Sequence, residues 1–304
     1  MASQRKAGAL LGYANIAVKN LVNLVYTPML LSFVGQADYG VYQTANSFVY
    51  SLTLLTFGFS EAYVRFYTQR KATGSEKDVR ALNGMYLTLY VVICFTILVL
   101  GLTFAANVGS FFSDSFLPAQ IGLARNLMAI MAVNISVTLF STVFDAYIIA
   151  HEQFKYQQTR QMFTSLATPG IAIVLLNMGM GAVGVAIAQL SMSLILLALN
   201  VRFSCFRLGM RFSFRRFDLA LFRAIAVFSA WIFINQVCDL VNQSVPNMVL
   251  GAVTSATVVA VFAVSIQIRS VFVSLSTVMS SVFVPKINQI VAETDDNLEL
   301  TKLM

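Results

Sequence analysis

"GALLGYANIAVKNLVNLVYTPMLLSFV", residues 8–34, is a long, mainly apolar stretch whose one charged side chain is Lys19, placed between Asn15 and Asn23. The hydrocarbon of a bilayer is roughly 30 Å thick and a helix rises about 1.5 Å per residue, so about 20 apolar residues can cross it. The stretch is therefore predicted to be a transmembrane helix. A charge near the centre of such a helix costs about 3 kcal/mol or more. We therefore expect Lys19 to have a functional or structural role that offsets this cost.

The composition of the whole chain agrees with a membrane protein. Of its 304 residues, 58% are hydrophobic and 11% are charged, and the mean hydropathy is +0.76. Soluble domains have roughly 45–50% apolar and about 25% charged residues. A soluble protein could not bury this much apolar surface, so lipid must be the solvent for much of the chain.

Eight stretches are long and apolar enough to cross a bilayer, which predicts an all-α polytopic membrane protein with about eight transmembrane helices. The fifth stretch is the shortest and contains Pro169 and Gly170, which predicts a break in that helix. The eight predicted spans are 8–34, 39–68, 84–108, 121–149, 162–178, 183–203, 221–250 and 256–284.

The basic residues predict the orientation of these spans. The alternate loops near 35–38, 109–120, 178–183 and 251–256 contain no Lys or Arg. Four of the basic residues lie within spans: Lys19, Arg65, Arg125 and Arg269. All other Lys and Arg lie in segments on the same side of the membrane as the N-terminus. Because positively charged loops stay in the cytoplasm, the N-terminus is predicted to be cytoplasmic. The net charge of +7 then indicates contact with anionic lipid headgroups rather than with nucleic acid.

The basic run "RFSCFRLGMRFSFRR" (202–216) suggests a boundary in the chain. We predict a six-helix lobe at 1–203, a cytoplasmic connector at 204–220, and the start of a second lobe at 221–304, with two helices and an acidic tail. Residues 243–266 repeat the order of features in 25–48, namely polar residues, a proline, an apolar run and a turn containing glycine. Repeated halves are typical of transporters. Because two helices are predicted after the connector and six before it, the second half is expected to be incomplete here.

Polar side chains form stripes along several spans, because residues three or four apart lie on one face of a helix. Asn15, Lys19 and Asn23 form one stripe in the first span; Asn235, Asp239 and Asn242 form another in the seventh, and Arg269 lies in the eighth. Near the end of the second span, Glu61 and Arg65 are spaced as a favourable i,i+4 ion pair.

These stripes favour a water-filled central cavity lined by the first, second, seventh and eighth spans. Lys19 and Arg269 would give it a positive charge, which suits an anionic substrate. The alternative is a purely structural clamp of Asp239 with Lys19 or Arg269. No metal, cofactor or enzymatic chemistry is predicted, because the cysteines lack paired spacing and the one histidine, His151, has no second ligand nearby.

Several motifs resemble those of bacterial polysaccharide-unit flippases, the O-antigen and capsule translocases of the multidrug/oligosaccharidyl-lipid/polysaccharide (MOP) exporter superfamily. The first is the run after Pro28 followed by "GQADYGVYQ" (35–43). The others are "SFVYSLTLLTFGFSEAYVRFY" (47–67), "FINQVCDLVNQSVPNMVLG" (233–251) and "SVFVPKI" (281–287).

The resemblance implies two six-helix lobes that move an undecaprenyl-diphosphate-linked oligosaccharide across the bacterial inner membrane by alternating access. The expected partners are this substrate, membrane lipids, and a polysaccharide polymerase with other assembly proteins. Two other functions stay open: a cation-coupled multidrug exporter of the same fold, and a membrane scaffold that does not transport. The expected substrate-binding residues are Lys19, Arg269, Arg65, Asn15, Asn23, Asn235 and Asn242, and the expected ion-coupling residues are Asp239 and Glu61.

Overall fold

The computed structural model describes residues 2–73, 76–214 and 219–293, and within these ranges the regular structure is helical without any strand. Besides α-helices, the chain has a 3₁₀ turn at Leu52–Thr56 and a π-helical turn at Phe203–Arg207. The α-helices are α1 Ala2–Val34, α2 Gln36–Ser51, α3 Phe59–Thr73, α4 Glu76–Ala106, α5 Val108–Phe112, α6 Pro118–Ala150, α7 Phe154–Asn177, α8 Gly181–Arg202, α9 Leu219–Gln243, α10 Val245–Val253 and α11 Ala256–Glu293.

Six segments of the described chain are long and apolar enough to cross a membrane. They correspond to six of the eight predicted spans, and the all-α polytopic membrane class is confirmed. The six segments are Leu11–Val34, Glu76–Ala106, Pro118–Ala150, Gly181–Arg207, Leu221–Val253 and Ala256–Ser274.

The second predicted span, 39–68, is two helices instead of one. It runs through α2, the 3₁₀ turn and the start of α3, and the chain changes direction at Phe57 and Gly58, with φ values of 48° and 68°. Left-handed backbone of this kind cannot continue an α-helix. At Gly58 a Cβ atom would also lie 2.4 Å from Ile232 Cγ2, so glycine fits both the backbone and the packing there.

The fifth predicted span, 162–178, lies within a longer helix. α7 continues from Phe154 to Asn177 with Pro169 inside it, so the predicted break at Pro169–Gly170 is wrong. The polar residues in its first half make α7 less apolar than the six segments above, and it packs against α1 and α8. This packing explains how a proline-containing polar helix is kept continuous.

The chain divides into two compact units, Met1–Ala263 and Val264–Met304. α1–α10 and the first turns of α11 belong to the first unit, and the rest of α11 belongs to the second. The division into lobes at the basic connector therefore stays a prediction. Residues 215–218 of that connector and most of the predicted acidic tail, from 294 onward, lie outside the described residues.

A cluster of buried tyrosines forms the centre of the first unit between α3, α4 and α6. The rings of Tyr63 and Tyr86 have centroids 4.5 Å apart, and Tyr86 is followed by Tyr90 at 4.9 Å. Burying a phenol requires a partner for its hydroxyl group. Tyr63 donates a hydrogen bond of 2.6 Å to Asn83 Oδ1, so the cluster combines apolar packing with fixed polar contacts.

Close helix packing joins α2 to α10 and to the start of α11. A Cβ atom on Gly40 would lie 1.7 Å from the carbonyl oxygen of Ala256, and one on Gly251 would lie 2.7 Å from Thr44 Cγ2. Asn247 Nδ2 also donates to Ser47 Oγ at 3.2 Å. Small residues let helix backbones approach closely, which is a common basis of helix association in lipid.

Candidate functional site

A polar cavity of about 500 Å³ lies between α1, α7 and α8. We call it the α1–α7 cavity. Asn15, Lys19 and Asn23 face it from α1, so the predicted stripe does line one cavity. The opposite wall comes from α7 and α8 and consists mainly of amide and hydroxyl groups: Gln161, Thr164, Ser165, Thr168 and Gln189.

Asn15 anchors one end of this cavity. It is 8% exposed, and its Nδ2 donates to Gln161 Oε1 at 3.0 Å and to Gln158 Oε1 at 3.3 Å. Its own Oδ1 is buried and has no hydrogen-bond partner among the described residues. An unsatisfied buried carbonyl costs about 1–3 kcal/mol, so a ligand hydroxyl or a water molecule that donates to it would be stabilised.

Lys19 supplies the unbalanced charge of the α1–α7 cavity. Its side chain is exposed, and it forms no ion pair with any side chain that the structure describes. Asp239 lines a different cavity, so the structural clamp of Asp239 with Lys19 is not present. With no counter-charge among the described side chains, the ammonium group can meet an anion in the cavity.

Arg160, the second cation at this cavity, is already neutralised. Its Nη2 lies 2.6 Å from Asp145 Oδ1, and the two side chains are 9% and 23% exposed. Its Nη1 donates to Asn200 Oδ1, and Asn200 Nδ2 donates to Ser141 Oγ at 2.8 Å. This network ties α6, α7 and α8 together, and it leaves Lys19 as the source of net charge.

A second cavity, of about 360 Å³, lies between the α2–α3 turn, α6 and α9. We call it the α3–α9 cavity. It contains two carboxylates, Glu61 and Asp239, and none of the residues lining it is basic. Hydroxyl and amide groups from Thr53, Thr138 and Gln236 complete the polar part of its wall. The structure thus places Lys19 and the two predicted carboxylates in separate cavities.

The remaining predicted residues lie elsewhere. The Arg65 guanidinium stacks over the Phe228 ring, 4.4 Å from its centroid, and it forms no ion pair with Glu61 in the described chain, so that pairing is wrong. Asn235 is exposed on α9, and Asn242 donates to the Cys238 carbonyl at 2.9 Å; neither lines the two cavities. Arg269 is exposed on α11 in the second unit.

The prediction that the first, second, seventh and eighth spans line one cavity missed the role of α7. Its polar residues Gln158, Gln161, Ser165 and Thr168 are spaced by three or four, which is the same signal that identified the stripe on α1. The predicted span began at residue 162, so this stripe was divided between a loop and a helix and its regularity was lost.

Comparison with known proteins supports the fold and identifies a family. The family model for "Polysaccharide biosynthesis protein" matches residues 6–291. A search of curated protein sequences found no significant match.

Solved membrane transporters have a similar fold. A solved complex of the MATE multidrug transporter DinF-BH has a TM-score of 0.64 at 16% identity, over 89% of this chain and 61% of that one. An outward-facing multidrug resistance MATE family transporter of the MOP superfamily has a TM-score of 0.54 at 15% identity, over 96% and 72%.

A third solved structure, that of protein A, has a TM-score of 0.73 at 14% identity, over 89% of this chain and 61% of that one. The chain therefore spans about three-fifths of the length of two of these proteins. Identities this low establish the fold alone, whereas the family model covers nearly the whole sequence. The chain belongs to the polysaccharide biosynthesis protein family and has the fold of MOP-superfamily membrane transporters.

Proposed function

We propose that this chain is the main part of a flippase that moves an undecaprenyl-diphosphate-linked oligosaccharide from the cytoplasmic to the outer leaflet of the bacterial inner membrane. The transport would supply units for O-antigen, capsule or exopolysaccharide synthesis, beside a polymerase and other assembly proteins. The observation that carries the proposal is the α1–α7 cavity, in which an ammonium group without an ion pair among the described residues is surrounded by amide and hydroxyl groups. Membership of the polysaccharide biosynthesis family supports the substrate class.

The chemistry of the cavity fits the two parts of such a substrate. Lys19 would attract the diphosphate or an acidic sugar, since an anion gains a charge-assisted hydrogen bond there. Asn15 and Asn23, with Gln161 across from them, would bond sugar hydroxyl groups. Four residues on other helices stay predicted substrate contacts: Arg269, Asn235, Asn242 and Arg65. Each can be tested by a separate substitution.

Glu61 and Asp239 would couple transport to a cation gradient. Both line the α3–α9 cavity, where no lining residue is basic to neutralise them. A proton or a monovalent cation bound between these carboxylates and the nearby hydroxyl groups would lower their combined negative charge by one unit. Such a change in charge would alter the balance between conformations that expose the cavity to opposite sides.

The test is complementation of a strain that lacks the gene. We expect the null strain to hold the lipid-linked oligosaccharide on the cytoplasmic side, to lose surface polymer, and to keep its resistance to cationic dyes. Lys19→Ala should reduce export about ten- to a hundredfold, since a hydrogen bond to a charged group contributes about 1.5–3 kcal/mol. Lys19→Arg should restore much of the export, and Lys155→Ala, which removes an exposed lysine outside the cavity, should leave it unchanged.

One result would count against this function, and another against the role of Lys19. Normal surface polymer together with greater dye sensitivity in the null strain would identify a drug exporter. A fall in the amount of folded Lys19→Ala protein, with export per molecule unchanged, would give Lys19 a structural role instead.

A cation-coupled multidrug exporter is the second candidate, and one observation favours it. The α3–α9 cavity carries two carboxylates without a lining cation, which would also suit a cationic organic substrate. In that case Glu61→Gln and Asp239→Asn should each raise dye sensitivity and leave surface polymer unchanged. A flippase with carboxylate coupling should instead lose surface polymer in both variants.

A further inference from the structure

A third cavity, of about 440 Å³, lies at the end of the first unit where the basic loops converge. We call it the basic-end cavity. Its walls come from the end of α3, the start of α4, the end of α6 and residues 208–211 after the π-helical turn. Cavities of about 300–1,000 Å³ are the usual size of small-molecule sites. It is separate from both cavities used in the proposed function, and no lining residue is shared with them.

The charges around the basic-end cavity leave a positive excess. Lys71, Arg80 and Arg211 line it, with Glu76 as the carboxylate among the lining residues. Glu76 is already bonded to Arg80, with Oε2 2.7 Å from Nη2. Lys71 has its Nζ 5.8 Å from the centroid of the Tyr67 ring, and neither Lys71 nor Arg211 forms an ion pair in the chain as described. Two cations therefore face the cavity without a counter-charge among the described residues.

The segment that carries Arg211 is held firmly in place. Ser213 N–H donates to the Arg80 carbonyl at 2.9 Å, and Asn83 Nδ2 donates to the Arg211 carbonyl at 3.0 Å. A Cβ atom on Gly84 would lie 2.2 Å from the Ser213 carbonyl oxygen, so the segment can lie this close because α4 has a glycine there. Residues 211–213 are therefore docked on α4 as part of a formed site.

The floor of the cavity is aromatic and its hydrogen bonds are satisfied within the protein. His151 Nδ1 lies 2.9 Å from the Tyr147 carbonyl oxygen, which assigns the N–H to Nδ1. Nε2 then accepts a hydrogen bond from the Tyr67 hydroxyl at 3.1 Å. Because this floor offers no free anion, the two unpaired cations determine what the cavity can bind.

We propose that the basic-end cavity is a binding site for the phosphate of an anionic phospholipid headgroup, held by Lys71 and Arg211. A lipid is favoured over a free anion because Lys71 and Arg211 lie on the side predicted to face the negatively charged cytoplasmic leaflet. The site would hold a resident phospholipid against α3, α4 and the connector. The proposal does not depend on what the protein transports.

The test measures lipid binding to the purified full chain by native mass spectrometry and by the thermal unfolding midpoint in detergent. We expect phosphatidylglycerol to bind and to raise the midpoint, and phosphatidylcholine with the same acyl chains to do neither. The double variant Lys71→Gln/Arg211→Gln should bind phosphatidylglycerol at least about tenfold more weakly. The control Lys155→Gln/Arg202→Gln removes two exposed charges outside the cavity and should bind like the unmodified chain.

Each alternative outcome contradicts the proposal in a distinct way. Equal weakening in the two double variants would mean attraction by diffuse surface charge. Unchanged binding in Lys71→Gln/Arg211→Gln would exclude the cavity. The same rise of the midpoint with inorganic phosphate alone would identify a free-phosphate site. Lys71→Arg/Arg211→Lys, which keeps both charges, should retain binding, and its failure to do so would assign the two residues a structural role.

Discussion

Gly40→Ala should separate α2 from the start of α11. The added Cβ atom would lie 1.7 Å from the Ala256 carbonyl oxygen, whereas ordinary contact begins near 3.4 Å, so the two backbones must move apart by about 1.7 Å. Overpacking of a tight contact costs about 3 kcal/mol at its upper end. The better helix propensity of alanine returns about 1 kcal/mol. We expect a net loss of about 2 kcal/mol in the free energy of unfolding.

The assay is thermal unfolding of the purified chain in detergent, followed by circular dichroism. A loss of about 2 kcal/mol corresponds to a fall of about 4–8 °C in the midpoint for a unit of this size. The control is Gly122→Ala on α6, where a Cβ atom meets nothing within 4 Å, and its midpoint should stay or rise. Equal midpoints for the two variants would refute the close approach of α2 to Ala256.

Three other predictions concern polar groups. Arg160→Gln should lower the free energy of unfolding by about 3 kcal/mol, because it leaves Asp145 largely buried without its partner. The double variant Arg160→Gln/Asp145→Asn should recover part of that loss. Additive effects of the two substitutions in the double-mutant cycle would contradict the ion pair. Burial, with a contribution from Lys71, lowers the pKa of His151 below its ordinary value of 6.5. As the pH falls, His151 is therefore protonated in the unfolded chain before it is protonated in the folded chain. The free energy of unfolding should be highest above about pH 6.5 and fall as the pH drops toward the lowered pKa. This decline should be smaller in His151→Gln. Arg65→Gln removes only a cation–π contact with Phe228 and should cost about 0.5–1 kcal/mol, and loss of the folded protein would show a larger role.

The sequence predicted the helical membrane class and six of the spans well, because hydrophobicity over 20 residues depends on composition alone. It could not show the break at Phe57 and Gly58. That break depends on a left-handed backbone conformation and on the side chain of Ile232, which is distant in sequence. The sequence also predicted a helix break at Pro169 that does not occur, since packing of α7 against α1 and α8 keeps the helix continuous around the proline.

The candidate site was predictable as faces of helices but not as cavities. The spacing of Asn15, Lys19 and Asn23 identified a polar face, and this face does line a cavity. Which helix lies opposite is a matter of tertiary packing, and the sequence offered the stripe on α7 as its signal. The separation of Lys19 from Asp239 into different cavities could not be inferred, because helix spacing says nothing about distances between helices.

The polar character of α7 and the break between α2 and α3 in the second predicted span have a consequence for biogenesis. A translocon releases a segment into lipid according to its hydrophobicity, and segments of this kind partition poorly by themselves. Their polar faces are covered only after α1 has met α7 and after α3 has met α6 and α9. These two predicted spans should therefore enter the bilayer together with a neighbouring apolar helix, so the order of synthesis and the pairing of helices become coupled during assembly.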